Sequence, residues 1–205
     1  MRRQHMEESF RLSNIAPRTT RPLRADARRN RAKILAAAAA VFGESGLESQ
    51  VEDIARRAGV GVGTVYRHFP TKEALVTALA EEHFERLAAI VEAAVQERGD
   101  AWEVFAAAIF RAAEPAAADL AWCEIVAGGQ GPGHGELQAQ RRLATAAGTL
   151  MARAQQAGQM RPDAGVQDLQ AIMCGLGHVA AAQRAGAKLD WRRYLGVALD
   201  GLRPR

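Results

Sequence analysis

Residues 51–69, VEDIARRAGVGVGTVYRHF, constrain the fold more than any other stretch. Two short apolar-periodic runs, 51–58 and 62–69, flank the tripeptide Gly59-Val60-Gly61. The pattern predicts short helix, glycine turn, short helix. Gly59 is expected to take a positive φ, where a side chain would clash. Val60 then plugs the turn into a core that Ile54 faces. Ala55 is small enough for the two helices to cross closely. Gly61 is expected to act as N-cap of the second helix, leaving backbone N–H groups free for an anion.

The remaining chain carries only helical periodicity. A helix over 26–44 is predicted with Asp26 as N-cap and Ile34, Leu35, Ala38, Val41 and Phe42 facing inward, closed by Gly46. Pro70 stops the 62–69 helix, and Thr71 caps a long helix over 72–97 whose stripe is Leu75, Leu79, Leu87, Ile90, Val91 and Ala94. Beyond Gly99, helices are expected from Asp100 to 113, from Pro115 to 127, and over 136–157, 166–185 and 190–202. The loop GGQGPGHG (128–135) and the stop GQMRPD (158–163) separate them. The fold class is therefore all-α, with about nine helices: three short ones in front and a larger bundle behind. Abundant alanine and aromatics at only 5% agree with close-packed helices. The expected division is a disordered basic arm (1–25), a helix-turn-helix domain (26–75) and a second helical domain (76–205).

Charge is unevenly spread. Residues 1–75 hold 14 Lys/Arg against 8 Asp/Glu, and residues 76–205 hold 13 against 15, a net of +6 in front and −2 behind. Arg28, Arg29, Arg31 and Lys33 crowd what is read as the first turns of a helix, where the dipole favours acids, so an anionic partner would offset the cost. No run of apolar residues is long enough for a membrane span and no leader-like segment is present, so the expected location is the cytoplasm. Cys123 and Cys174 lack metal-ligand spacing. The five histidines lie far apart, and no GxSxG or HExxH occurs, so neither catalysis, metal nor cofactor is expected.

The glycine turn and its donors point to double-stranded DNA. A helix over 62–69 fits the major groove and projects Val62, Thr64, Arg67 and His68, with Tyr66 beside them. Tyr66, His68 and Lys72 suit phosphates, which set register. Two other classes stay open: a nonspecific nucleic-acid or architectural binder using the basic arm, and an α-helical enzyme built from scattered side chains.

The block VEDIARRAGVGVGTVYRHFPTKEAL (51–75), with Phe42 and Gly46 before it, resembles the DNA-binding region of the TetR family of transcriptional regulators. The resemblance implies a homodimer that binds a palindromic operator, most often as a repressor, with a larger bundle holding the dimer interface and a cavity for a small effector. Carried over by position, Arg28, Gln50, Gly61, Gly63, Thr64, Tyr66, His68 and Lys72 are expected at backbone or groove contacts, and Val62 and Arg67 at base edges. Gln50 and Gly61 depart from the usual Thr and Ser, so Ser49 or a shifted start is expected to cap the second helix. RAQQAGQMRPD (153–163) and RRYLGVALDGLR (192–203) are similar to an actinobacterial-type branch of the family. Helices from 166 to 202 are expected to pair with a second copy. Trp102, Phe105, Phe110, Trp122, Met151, Met173 and His178 are the candidate lining of a site for an apolar effector.

Overall fold

The computed structural model describes residues 20–127 and 137–204, with side chains from 26 to 125 and from 137 to 204. Among these residues nine helices occur and no strand: α1 Thr20–Ser45, α2 Val51–Ala58, α3 Val62–His68, α4 Lys72–Val95, α5 Ala101–Ala118, α6 Leu120–Ala127, α7 Gln138–Gln156, α8 Val166–Arg184 and α9 Trp191–Asp200. The all-α expectation holds.

Local chemistry sets most helix ends. Gly59 has φ +67° and returns its N–H to the carbonyls of α2. Gly46 does the same for α1 at φ +75°, donating to Phe42 O at 2.9 Å. The Thr71 hydroxyl accepts from Ala74 N at 3.2 Å, and the Asp100 carboxylate accepts from Glu103 N at 3.0 Å. At Gly59 no atom lies within 4 Å of where a Cβ would stand. Gly59→Ala therefore isolates the backbone cost of a left-handed alanine, and its urea midpoint is expected to report a loss of about 1–2 kcal/mol. An unchanged midpoint would mean that the turn relaxes out of that conformation.

Three sequence expectations are corrected. The first helix starts at Thr20 rather than at Asp26, so Asp26 lies inside it and pairs with Arg29 instead of capping. The front basic residues consequently sit beyond the first turn, where the dipole has little hold on them. Of the proposed basic arm, residues 1–19 lie outside the described residues, and the backbone of 20–25 is helical. The second correction concerns Pro115, which α5 runs through. A proline forfeits one internal hydrogen bond without forcing a chain reversal. The break comes instead at Asp119, whose side chain caps the following helix through Trp122 N at 3.0 Å. Finally, Ser49 does not cap α2. Its hydroxyl donates to Gly46 O, while Gln50 occupies the cap position without a side-chain cap bond.

Two apolar cores result. The front core gathers Ile34, Leu35, Ala38, Phe42, Ile54, Ala55, Val65 and Phe69, all from the head formed by α1–α3, and adds Leu75, Val76 and Leu79 of α4 and Ala121 and Ile125 of α6. The rear core is built from α4, α5, α7, α8 and α9 around Phe105, Leu150, Leu176 and Leu195. So α4 threads both cores, and α6 belongs to the head although it lies beyond residue 100. Gly43 on α1 explains how α6 docks: a Cβ there would stand 2.7 Å from Leu120 Cβ. On the rear side, Arg142 of α7 holds both Glu92 (2.9 and 2.7 Å) and Glu85 (2.8 Å) of α4. Arg153 caps the end of α4 by donating to Val95 O and Glu97 O, each at 3.0 Å.

Candidate functional site

The α2–α3 unit presents one convex face. Val65 is fully buried and fixes the rotation of α3 about its axis. That rotation leaves Gly61, Gly63, Tyr66 and Arg67 exposed, with Val62, Thr64 and His68 half-buried beside them. Tyr66 is 45% exposed, so its ring is held out rather than packed. The Arg67 guanidinium folds back along its own helix, Nε donating to Gly63 O at 3.1 Å. The Lys72 ammonium stands 6.0 Å from the Phe42 ring centroid. Arg28 and Gln50 are exposed on the flanks.

Ion pairing separates two sets of cations here. Arg57 is tied to Glu44 of α1 by two hydrogen bonds of 2.5 and 2.8 Å, and Arg56 to Asp53. The Arg57 guanidinium holds the Glu44 carboxyl below its ordinary range. By contrast Arg28, Arg31, Lys33, Arg67 and Lys72 form no ion pair among the described residues. The uncompensated charge thus lies on the front half of α1, on α3 and at the start of α4, where a polyanion would meet it. Arg31, whose guanidinium is 5.3 Å from the Phe69 ring centroid, joins this set, as the cluster of basic residues with Arg28 and Lys33 in the sequence suggests.

The second candidate lies in the rear bundle. A cavity of about 460 Å³ opens between α4, α5, α7 and α8, with Trp122 of α6 at its front wall. Among the described residues its lining is apolar apart from His83, Gln140, Gln170 and the Cys174 thiol, and contains no Asp, Glu, Lys or Arg. Of the seven residues expected from the sequence, the fold brings Trp122 and Met173 to this cavity. Trp102, Phe105 and Met151 are buried in the rear core and do not line it. Phe110 packs at the edge of that core, and His178 is exposed on α8 with Nδ1 3.0 Å from Cys174 O. Large side chains fill the closely packed centre, whereas the cavity forms where Leu, Val and Ala leave room.

His83, which no motif in the sequence marks, also lines the cavity. It is 2% exposed and sits on α4 between the stretches that feed the two cores. Its ring stacks on Trp122 (centroids 4.3 Å, planes 18° apart) and meets Phe84 edge-on. Nδ1 lies 3.1 Å from Asp119 Oδ2, which also receives Arg86 at 2.6 Å, while Asp119 Oδ1 caps α6. Burial pushes the imidazole pKa below its ordinary value, against the pull of Asp119. Burial also acts to raise the Asp119 carboxyl, but the hydrogen bonds from His83 and Trp122 N and the charge of Arg86 bring it out lowered. The pair is thus a neutral imidazole donating to a carboxylate. Through Asp119 the cavity wall is joined to the start of α6, and through α6 to the head.

Comparison with known proteins gives the architecture a family. Residues 34–79 match the model for bacterial regulatory proteins of the tetR family, and residues 97–204 match that of the SbtR-like transcriptional regulator C-terminal domain. The chain belongs to the TetR family. A solved TetR transcriptional regulator of Streptomyces coelicolor is 36% identical, covering 85% of this chain and 98% of that one, at a TM-score of 0.56. Another from Mycobacterium vanbaalenii is 35% identical over 89% of this chain and 100% of that one, also at 0.56. The HTH-type transcriptional repressor KstR of Mycolicibacterium smegmatis is 35% identical over 94 residues, which is 45% of this chain and 46% of KstR. The match therefore spans about half of KstR's length. As a TetR-family member the chain is a DNA-binding transcriptional regulator and not an enzyme. Among the described residues no helix is long and apolar enough to cross a membrane.

Proposed function

We propose that this TetR-family chain is a ligand-responsive repressor that binds a palindromic operator as a homodimer and leaves it when a small, largely apolar effector fills the rear cavity. The observation that carries the reading is the shared framework of cavity and head. The α4 helix supplies His83, Phe84, Leu87 and Val91 to the cavity and Leu75, Val76 and Leu79 to the head core, while α6 supplies Trp122 to one and Ala121 and Ile125 to the other. An occupant that displaces either helix must move the reading surface. Coupling further requires that the effector prefer the DNA-incompetent arrangement. Equal effector affinity for free and operator-bound protein would end that part of the reading.

On the DNA side, Arg67 and Val62 are assigned to base edges, and Thr64, Tyr66, His68, Lys72, Arg28, Gln50 and the backbone at Gly61 and Gly63 to phosphate or close groove approach. Exposed apolar side chains support the homodimer: Ala171 on α8, and Val197 on the neighbouring α9, which is 66% exposed. Val197→Glu is expected to fold normally, since the side chain already meets solvent in the single chain, and to sediment as a monomer where the native protein sediments as a dimer. A dimeric Val197→Glu would move the interface elsewhere.

The reading as a whole is tested by selecting bound sequences from a random duplex library at about physiological salt, where loose electrostatic attachment is already screened. An enriched palindrome is the expected result, with half-site spacing set by the two α3 helices. Binding that tracks salt and not sequence would instead establish a nonspecific binder.

A further inference from the structure

His83 presents an unusual combination. Nine-tenths of it and more is buried, and Nδ1 is committed to Asp119. Its Nε2 makes no hydrogen bond to the protein among the described residues. Among the described residues no side-chain nitrogen or oxygen is both sealed from solvent and unpartnered, and the space that His83 lines is the rear cavity.

The Asp119 carboxylate fixes the chemistry of that atom. It can only accept, so Nδ1 carries the proton, and the lone pair of the neutral ring lies on Nε2. The charge of Asp119 also makes that lone pair a better acceptor, as it does for a histidine whose other nitrogen faces a carboxylate. Trp122 stacked on one face and Phe84 at the edge hold the ring in orientation. Among the described residues the lining around it carries no charged side chain. Arg86 lies beyond Asp119 with half its surface in solvent, and is not part of the wall. On this described wall a carboxylate would find no cation to meet, and an ammonium no anion.

We propose that His83 is the polar anchor of the cavity, its Nε2 accepting a hydrogen bond from a hydroxyl group of a neutral, otherwise apolar ligand. The proposal rests on the cavity being the effector site, and it adds the ligand's chemical class and its point of attachment. Gln140 and Gln170 offer weaker, adaptable contacts elsewhere on the wall, whereas Nε2 is a fixed acceptor. An apolar site that selects one donor discriminates against analogues that lack it, because they leave the acceptor unpaired.

The test uses the full-length protein and three matched probe series: 4-alkylphenols from butyl to nonyl, their methyl ethers, and the corresponding 4-alkylbenzoates. Calorimetry is expected to show phenols binding about tenfold tighter than the ethers of the same length, with benzoates weaker than phenols. In His83→Phe, which keeps an aromatic ring against Trp122, phenols and ethers are expected to bind alike. Should that variant fold poorly, the native protein still decides the question. The nitrogen resonances of the His83 imidazole are expected to show a proton on Nδ1 and none on Nε2, with Nε2 shifting when a phenol binds and staying in place with the ether. Equal binding of phenol and ether to the native protein, or a proton on Nε2 of the neutral ring, would overturn the anchor. Operator release measured in parallel separates this from the wider reading. Phenol binding that depends on His83 but leaves operator binding intact keeps the anchor and removes the effector role. Release by phenols and ethers alike keeps the effector role and removes the anchor.

Discussion

Arg67→Ala is expected to weaken binding to the selected operator far more than binding to unrelated duplex, and to flatten the base preference at the position Arg67 contacts. A base-edge contact of this kind contributes about 1–3 kcal/mol of discrimination. A homodimer repeats it on both half-sites, so the loss across the operator is roughly 30-fold to 10⁴-fold. The free-state geometry makes the side chain available at small cost. Arg67 is exposed, forms no ion pair among the described residues, and there need release only the bond from Nε to Gly63 O. Tyr66→Ala is the contrasting variant. Its ring is exposed, so removal should leave the head folded, and it is assigned to the backbone of the duplex. Binding should fall by a similar factor on operator and nonspecific DNA. The measurement is a pair of titrations for each variant, one on the operator and one on scrambled duplex, repeated at two salt concentrations. Identical sequence preferences in Arg67→Ala and the native protein would remove Arg67 from base readout.

Why the exposed face of α2 and α3 could be located from the sequence, and the lining of the cavity only in part, follows from the range of the interactions. The head is specified locally. The positive φ of Gly59, the cap at Thr71 and the stop at Pro70 each depend on neighbours within a few residues, and the buried set Ile54, Ala55, Val65 and Phe69 follows from helical spacing. The cavity requires four helices to be placed first, and size alone is a poor guide to its lining. Bulk is what marks Trp102, Phe105 and Met151 in the sequence, and bulk is what takes a side chain into the rear core. Trp122 and Met173 reach the cavity because α6 and the front of α8 stand at its edge. His83 did leave a local trace. It stands four residues from Leu79 and four from Leu87 on α4, a polar residue at an inward position of an apolar stripe. Its partner Asp119 lies 36 residues further on, at a break that Pro115 masks, and no sequence pattern joins the two.

Asp119→Ala is expected to be the most damaging single change at the junction between cavity and head. It removes three contacts at once: the acceptor for the buried His83 Nδ1–H, the cap on Trp122 N at the start of α6, and the partner of Arg86. The first leaves a buried donor unpaired, at about 1–3 kcal/mol. Loss of the cap adds about 1 kcal/mol. The Arg86 pair is half in solvent and adds little. A total near 2–4 kcal/mol corresponds to a drop of roughly 4–16 °C in Tm for a chain of this size, compared at fixed protomer concentration. Asp119→Asn, which retains an acceptor oxygen, is expected to fall between. The functional consequence should be separable from the stability loss. Below the new Tm the head is intact, so Asp119→Ala should still bind operator. With α6 no longer tied to His83, a cavity ligand should bind without releasing the DNA as fully as it does from the native protein. A variant that melts with the native protein and responds fully to ligand would show that the signal reaches the head by another route, and the continuous α4 helix would then be the element to interrupt.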